Sequence, residues 1–432
     1  MRSRLKSMQL LHKTFLLLGC ILGLSPVQNW GAPPNLPDSL FIGVCSQITR
    51  ESKLYDPFSV HEEMLDAINH ANLNFTRTGF KWRVIHPSQT EWDWRITDAI
   101  VASARVKKVK ILALLGSMPD GFAEAPETYH GLWVEFVDSV TTRYAEDIFH
   151  WELWNEPNGR SGKYWPQDAS PETFATFIIE AGNIIRENQP NATILLGGLT
   201  TGQKTMPFEF WTSLFESGVL EVVDGIAYHP YHYTGVNLID FNQRLTSLIA
   251  KYTSEKKQFW ITEYGLPAVD SDKFPNFTFD QQSKSILKSI LVHWATGGTK
   301  FFIYNLWDKA EFDSNSNEKD FRKNRNYYFG LLENNMSPKP SYIAVKWLAG
   351  LLKDYEPLNI QSGNDGVLIQ VKHKETGKLG YFTWGGKAHE DLYKRHKEAT
   401  LTECQSSQVP LKLNKLKSSD LKTQAENVLF WQ

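Results

Sequence analysis

Cysteine is scarce in this chain of 432 residues: Cys20, Cys45 and Cys404 are the only three. So few cannot build a disulfide framework, and no Cys-x-x-Cys or Cys/His spacing suggests zinc. The nearest approach to a metal pair, His229-x-x-His232, lacks an accompanying acid motif, so no metal is expected. A surplus of positive charge is also missing. Lys and Arg total 46 against 48 Asp and Glu, a formal net charge of −2. That balance excludes the basic footprint that nucleic acid or an anionic membrane needs in a partner. Beyond the N-terminus no apolar run is long enough to cross a bilayer, so no integral membrane span is expected in the mature chain. Internal repeats and low-complexity segments are absent as well.

The N-terminus reads as a targeting segment. Arg2, Arg4, Lys6 and Lys13 precede or flank the short apolar run Phe15 to Leu24, and Pro26 and Gly31-Ala32 suit the end of a signal peptide. Residues 1–32 are therefore expected to be a signal peptide, and the product to be secreted, periplasmic or at the cell surface. Leu17-Leu18-Gly19-Cys20 loosely resembles a bacterial lipobox, which makes a lipid anchor at Cys20 the second reading and an uncleaved anchor the third. Asn74, Asn191, Asn276 and Asn335 each open an N-x-S/T triplet; Asn74 falls in an expected strand, and no argument rests on them.

What the chain has in abundance is aromatic residues, 13% of it, including 15 Trp. Some belong to a core. In an enzyme with a groove, others form stacking platforms for flat apolar ligand faces such as sugar rings. Short β-rich apolar runs alternate with helical patterns from about residue 40 to 310: Leu40–Val44, Leu73–Arg77, Lys110–Leu115, His150–Trp154, Thr193–Gly197, Gly225–Tyr228, Gln258–Thr262 and Lys300–Tyr304. Alternation predicts parallel strands linked by helices, and eight repeats predict closure into an α/β barrel. Val60, Met64, Leu65 and Ile68 form one helical stripe; Ser170-Pro171 is a helix start; Asp280 is the expected cap of a later helix. After Leu352 the pattern changes to short alternating strands at Val367–Lys372, Gly380–Trp384 and Val428–Trp431. The expected organisation is a (β/α)8 TIM barrel over residues 33–352 with a small β-sandwich-like module over 353–432.

Glycosidic bonds break through an oxocarbenium-like state, usually between two carboxyls. In such a barrel the site lies at the C-terminal strand ends. Two strand ends carry a carboxylate in an aromatic, hydrogen-bonding setting: Trp151-Glu152-Leu153-Trp154-Asn155-Glu156-Pro157-Asn158 on the fourth run and Trp260-Ile261-Thr262-Glu263-Tyr264-Gly265 on the seventh. The separation, 263 − 156 = 107 residues, matches three βα units of roughly 30–35 residues, as eight units in ~250 residues imply. Gly197-Gly198-Leu199-Thr200-Thr201-Gly202-Gln203-Lys204-Thr205 is not a phosphate-binding loop, because Gln203 breaks the required Gly-Lys adjacency.

Trp-Asn-Glu-Pro on strand four with Thr-Glu-Tyr-Gly on strand seven resembles the clan A glycoside hydrolases. More closely the chain resembles family 39 and its relatives that cut bacterial exopolysaccharides. Further matches are Arg77, Trp82, Glu91-Trp92-Asp93-Trp94, Asn158, Trp165, His229-Pro230-Tyr231 and Phe329–Tyr342, so the resemblance covers residues 40 to 350. It departs after strand three, where relatives often carry an aromatic clamp and this chain has Ser117-Met118-Pro119-Asp120-Gly121-Phe122. The resemblance implies a retaining glycosidase without cofactor, acting on a polysaccharide or oligosaccharide. It implies that Glu156 is the acid/base, that Asn155 holds the sugar 2-hydroxyl and that Glu263 is the nucleophile. Such a pair would lie about 5–5.5 Å apart. Glu156 is expected to start protonated, through burial and the nearby charge of Glu263.

Both a functional and a structural reading stand for the flanking residues. Arg77 either orients the Glu263 carboxylate or pairs within the core. His229 and Tyr231 either bond Glu263 or a substrate hydroxyl, or are satisfied core residues. Trp82 is a candidate for substrate contact; Trp307 is a sugar platform or core, and Asp308 beside it a loop acid. Glu152 is expected to be a buried structural acid or an exterior strand residue. Two other function classes compete: a clan A endo-glucanase or mannanase, and a non-catalytic glycan-binding relative that would have lost one of the two Glu.

Overall fold

A computed structural model describes residues 41–48, 57–88, 90–119, 126–159, 165–166, 169–202, 207–233, 235–271, 273–313, 315, 317–363, 366–395, 401–403 and 427–432. The expected signal peptide, Cys20 and Cys404 lie outside the described residues. No helix among the described residues is long and apolar enough to cross a membrane.

All eight expected runs are strands: β1 (Ile42–Cys45), β2 (Phe75–Lys81), β3 (Lys110–Gly116), β4 (His150–Asn155), β5 (Thr193–Thr200), β6 (Gly225–His229), β7 (Gln258–Tyr264) and β8 (Lys300–Tyr304). Each pairs in parallel with the next, and β8 closes on β1 through Ile42 opposite Phe301 and Val44 opposite Ile303. The strands divide their side chains between two cores by alternation. Cys45, Phe75, Leu112, Leu195, Ala227, Trp260 and Phe302 cluster inside the barrel. The opposite faces pack against the surrounding helices in a much larger cluster. Arg77 follows Phe75, and Thr262 follows Trp260, by two residues, so polar groups sit on the inward face directly above an apolar floor.

The helices form where the apolar period and caps predict. Met64, Leu65 and Ile68 are buried on helix Pro57–His70. Ser170 caps helix Pro171–Asn188, its hydroxyl accepting from the Thr173 amide at 3.2 Å, and Phe174, Phe177, Ile178, Ala181 and Ile185 are all buried. The expected cap Asp280 is corrected. Thr278 caps helix Phe279–Ala295 in a reciprocal box with Gln281, because Thr278 has the extended backbone a cap needs. Asp280 lies in the first turn and pairs with Lys284.

Beyond helix Pro340–Leu352 comes one antiparallel sheet of five strands. In chain order these are β9 (Tyr355–Gly363), β10 (Gly366–His373), β11 (Leu379–Trp384), β12 (Leu401–Glu403) and β13 (Leu429–Trp431), arranged β12-β13-β11-β10-β9. The layer that covers it is helical: Phe382 meets Trp294 of helix Phe279–Ala295, and Phe430 meets Trp347 of helix Pro340–Leu352. The module thus leans on the barrel helices next to β8.

Candidate active site

Glu156 and Glu263 emerge at the C-terminal ends of β4 and β7, as the strand-end motifs predict. One carboxylate oxygen of each and a ring nitrogen of His229 all lie within 4.8 Å of one another. The backbone at the end of β4 is unusual. Trp154 has φ +78° and Glu156 φ +47°, left-handed values that non-glycine residues rarely adopt. The turn sends the Trp154 ring outward against Trp133, Trp165, Phe174 and Phe177. The Glu156 amide then donates to the Gly198 carbonyl at 2.8 Å, which anchors the residue beside β5.

Arg77 organises the floor of the site. Its Nε donates to Glu152 Oε2 at 2.5 Å and its Nη2 to Glu152 Oε1 at 3.1 Å. Nη2 also donates to Asn155 Oδ1 at 2.8 Å, and Nη1 to Glu263 Oε1 at 2.5 Å. One guanidinium therefore joins β4 to β7. Arg77 thus contacts Glu263 and pairs in the core with Glu152. Burial alone would pull the Arg77 guanidinium down, but Glu152 and Glu263 outweigh it and hold it well above its ordinary value. Because Asn155 Oδ1 is taken by Arg77, its amide nitrogen is the end left for a ligand.

Glu152 is wholly buried and faces inward. Besides Arg77 it accepts from the Gly198 amide at 3.1 Å and from the Thr262 hydroxyl at 2.9 Å. Glu263 has a second donor in the Tyr231 hydroxyl, 2.9 Å from Oε2. Burial first, and then the Glu263 charge, push that phenol well above its ordinary range, so it remains a donor. Aromatic rings of Tyr264, Tyr304 and Phe329 surround Tyr231.

His229 corrects its expectation in part. Its Nδ1 lies 2.9 Å from Glu156 Oε1 and 3.8 Å from Glu263 Oε2, so its first partner is the acid/base candidate. The opposite nitrogen, Nε2, meets Thr262 Oγ1 at 3.1 Å. The ring fits only because residue 198 is glycine: a Cβ there would stand 2.2 Å from Nε2. The partner of the His-x-x-His pair, His232, is exposed while His229 is buried. The cluster of Glu156, His229 and Glu263 offers three donor atoms, but the Arg77 cation already lies against Glu263, in electrostatic competition with any metal cation. Chemically, the arrangement is suited to passing a proton between Glu156 and His229 and to holding the Glu263 carboxylate in place.

Two further expectations are corrected. Trp82 is 1% exposed and packs against Trp133 and Phe136 at ring separations of 5.6 and 5.9 Å. It heads a short helix, Trp82–Ile85, that turns it into the core, so it presents no face to a sugar. Asp308 is no solvated loop acid: it is buried, paired with Lys339 at 2.7 Å, and accepts from the Gly330 amide at 2.7 Å. Trp307 stands half-buried at the end of β8, its indole N–H held by the Asn334 carbonyl at 2.9 Å.

Glu152, Thr262 and Gly198 were not singled out as site residues by the sequence reading. Their signal was available only in part. Glu152 is four residues before Glu156 and Thr262 is next to Glu263, but which face each occupies depends on the backbone turn at Trp154. Cys45, buried below Arg77, donates to the Thr262 carbonyl at 3.2 Å, and burial pushes its thiol well up.

A family model described as cellulase, glycosyl hydrolase family 5, matches residues 42–310. A search of curated proteins finds no match to the sequence. Among solved structures, the chain is similar to a family 39 glycoside hydrolase from the gut symbiont Bacteroides cellulosilyticus WH2, with TM-score 0.66 and 19% identity, over 93% of this chain and 83% of that one. It is similar to a monomeric beta-xylosidase from Caulobacter crescentus CB15, with TM-score 0.58 and 12% identity, over 93% and 97%. It is also similar to xylanase 10B from Thermotoga petrophila RKU-1, with TM-score 0.53 and 18% identity, over 74% and 99%. At these identities the likeness speaks to the fold.

Proposed function

The chain belongs to the cellulase family, glycosyl hydrolase family 5, and on that premise we propose that it is a retaining glycosidase using Glu156 as acid/base and Glu263 as nucleophile. The observation that carries the reading is the approach of the two carboxylates to within 4.8 Å at the ends of β4 and β7. Retaining enzymes hold their carboxyls about 5–5.5 Å apart, whereas inverting enzymes leave about 6.5–9.5 Å for a water. The surroundings of each group support its role. Glu263 accepts from Arg77 and Tyr231, which suits an ionised nucleophile aimed by two donors. Glu156 has the imidazole of His229 beside it, 2.9 Å from Oε1, which suits a group that exchanges a proton.

In the first step the Glu156 proton passes to the glycosidic oxygen as the bond from that oxygen to the anomeric carbon breaks. Glu263 attacks that carbon and forms a glycosyl ester. In the second, Glu156 takes a proton from water, whose oxygen displaces Glu263 with retained configuration. With its Oδ1 held by Arg77, Asn155 would bond the sugar 2-hydroxyl through its amide nitrogen, and the half-buried Trp307 would stack on a sugar ring. The substrate class is a polysaccharide or oligosaccharide. The family 5 match favours a glucan or mannan backbone; the xylanase and beta-xylosidase among the structural neighbours make a xylan backbone the second candidate. Product analysis on cellulose, mannan, xylan and aryl-glycoside panels separates the two.

Glu263→Gln should abolish turnover while leaving fold and glycan binding intact; undiminished hydrolysis by pure variant would rule out Glu263 as nucleophile. Glu156→Ala should lose far more rate on a natural glycan than on a dinitrophenyl glycoside, which leaves without a proton. Added azide should then yield a glycosyl azide of retained configuration, read by NMR. Equal losses on both substrates with no azide adduct would move the acid/base elsewhere.

A further inference from the structure

We propose that Glu152 and Thr262 fix the tautomer of His229, so that its bare Nδ1 faces Glu156 and holds that carboxyl in its proton-donating form. The inference rests on the reading of Glu156 as acid/base and adds two positioning residues that act through His229.

The argument follows the protons along one string. Glu152, paired twice with Arg77, is an ionised carboxylate and only accepts. The Thr262 hydroxyl has one proton and gives it to Glu152 Oε1 at 2.9 Å. Toward His229 Nε2, at 3.1 Å, Thr262 Oγ1 therefore has only lone pairs, so Nε2 must carry the hydrogen. A neutral imidazole has one N–H, which leaves Nδ1 bare. At 2.9 Å from Glu156 Oε1, a bare Nδ1 makes a hydrogen bond only if Glu156 supplies the proton. If the ring instead carries two protons, Glu156 is ionised; in both cases one proton sits between Nδ1 and Oε1. Among the described residues, the other charged or titratable groups facing this pair are Glu263 of β7, 3.8 Å from Nδ1, which Arg77 of β2 and Tyr231 hold by hydrogen bonds, and Glu152 at the far end of the string.

The same string serves both half-reactions. Once the proton has left for the glycosidic oxygen, the Glu156 carboxylate faces the lone pair of Nδ1. That repulsion is relieved when Glu156 removes a proton from the attacking water, which restores the starting arrangement. Gly198 belongs to the device, since its missing Cβ admits the ring and its amide steadies Glu152.

Thr262→Val keeps the shape and removes the hydroxyl. His229 is then free to carry its hydrogen on Nδ1 and donate to an ionised Glu156. Thr262→Ser keeps the hydroxyl and serves as rescue; Thr262→Ala replaces Val should Val not fold. The first readout needs no substrate: ¹⁵N-histidine NMR of the full chain, with the His229 signals assigned by loss in His229→Gln. Wild type and Thr262→Ser should give the Nε2–H tautomer, and Thr262→Val should shift toward Nδ1–H. The second is the pH dependence of kcat/KM on 4-nitrophenyl β-xyloside and 4-nitrophenyl β-glucoside, whichever is turned over. The alkaline limb reports the acid of the free enzyme. It should move down by about one pH unit in Thr262→Val, a tenfold change in protonated fraction, and return in Thr262→Ser. An unchanged tautomer or an unmoved alkaline limb in folded Thr262→Val overturns the proposal. Full activity in Glu156→Ala would instead overturn the underlying reading, and the two failures are read from different variants.

Discussion

Replacing Arg77 with methionine tests how the site floor is held together, because the structure states what is left behind. Methionine approximates the length of the side chain and removes all four hydrogen bonds, two to Glu152, one to Asn155 and one to Glu263. Glu152 is fully buried and, among the described residues, would retain only the Gly198 amide and the Thr262 hydroxyl as donors. Removing one partner of a buried pair costs about 3–5 kcal/mol, since the remaining charge has no counter-ion and no water. Against a total stability of roughly 5–15 kcal/mol for a protein, that is a large fraction. Urea unfolding followed by tryptophan fluorescence and far-UV circular dichroism should therefore give a lower midpoint with similar slope. Activity falls for a separate reason: Glu263 keeps Tyr231 but loses its cation. Removing a preorganised donor from an active site typically costs about 10²–10³ in kcat.

The double variant Arg77→Met with Glu152→Gln separates the two effects. Neutralising Glu152 removes the stranded charge, so most of the lost stability should return. Turnover should not, because Glu263 is still without its cation. Arg77→Lys should restore neither fully, since one ammonium cannot reproduce a fork that reaches Glu152, Asn155 and Glu263 together. The reasoning fails if Arg77→Met unfolds within 1 kcal/mol of wild type, or if the double variant is no more stable than the single. Recovery of turnover in the double variant would equally refute it, by assigning the activity loss to misfolding.

Gly198→Ala, with its Cβ 2.2 Å from His229 Nε2, should displace the ring and cut kcat/KM with a small change in unfolding midpoint; wild-type kinetics would show that the ring has room to move. Lys339→Met should lose about 3–5 kcal/mol by stranding Asp308, most of it regained by adding Asp308→Asn, as denaturant melts will report. Burial pushes the Asp308 carboxyl from 3.8 up to about 7, so between those values the native protein keeps a proton the unfolded chain has released. Stability falls as pH rises through that window, and melts across it should fall more steeply for Lys339→Met, which lacks the counter-charge. Trp82→Ala should cost about 3–5 kcal/mol with kcat/KM of the folded fraction unchanged. Trp307→Ala should instead raise KM, with a stability loss smaller than that of Trp82→Ala because Trp307 is only half-buried.

The barrel is legible in the sequence because parallel strands buried on both faces are short, apolar and β-rich, and each run here has that character. The candidate pair Glu156 and Glu263 is legible because glycoside cleavage demands a carboxylate at a strand end, and only two runs end in one within an aromatic context. What the sequence conceals depends on contacts made from far away. Asp308 looks like a loop acid until Lys339, distant in sequence, is brought against it. Trp82 looks like a platform until the short helix it heads rotates it toward Trp133. Strand β9 is hidden for a different reason: Tyr355–Gly363 is largely exposed at a sheet edge, so it carries no alternating pattern to detect.

The placement of Glu152 and Glu156 on one side of β4 depends on a single turn of backbone at Trp154. Regular alternation along β4 would send Glu152, Trp154 and Glu156 all inward, and an indole would then occupy the cleft between the two acids. The left-handed backbone at Trp154 breaks that period. It turns the indole out among Trp133, Trp165, Phe174 and Phe177, and returns Glu156 to the inside. Such a conformation costs about 1–3 kcal/mol for a non-glycine residue. The buried aromatic contacts on the outer face are worth about 0.5–1.5 kcal/mol each beyond the area they bury, enough to hold it. Glycine at 116 and 197 completes the fit: a Cβ at Gly116 would press on the Trp154 ring at 3.3 Å, and one at Gly197 would strike the Trp154 carbonyl at 2.2 Å. The strand can therefore place two carboxylates on the inward side, Glu152 held beneath the site by Arg77 and Glu156 at its mouth beside His229.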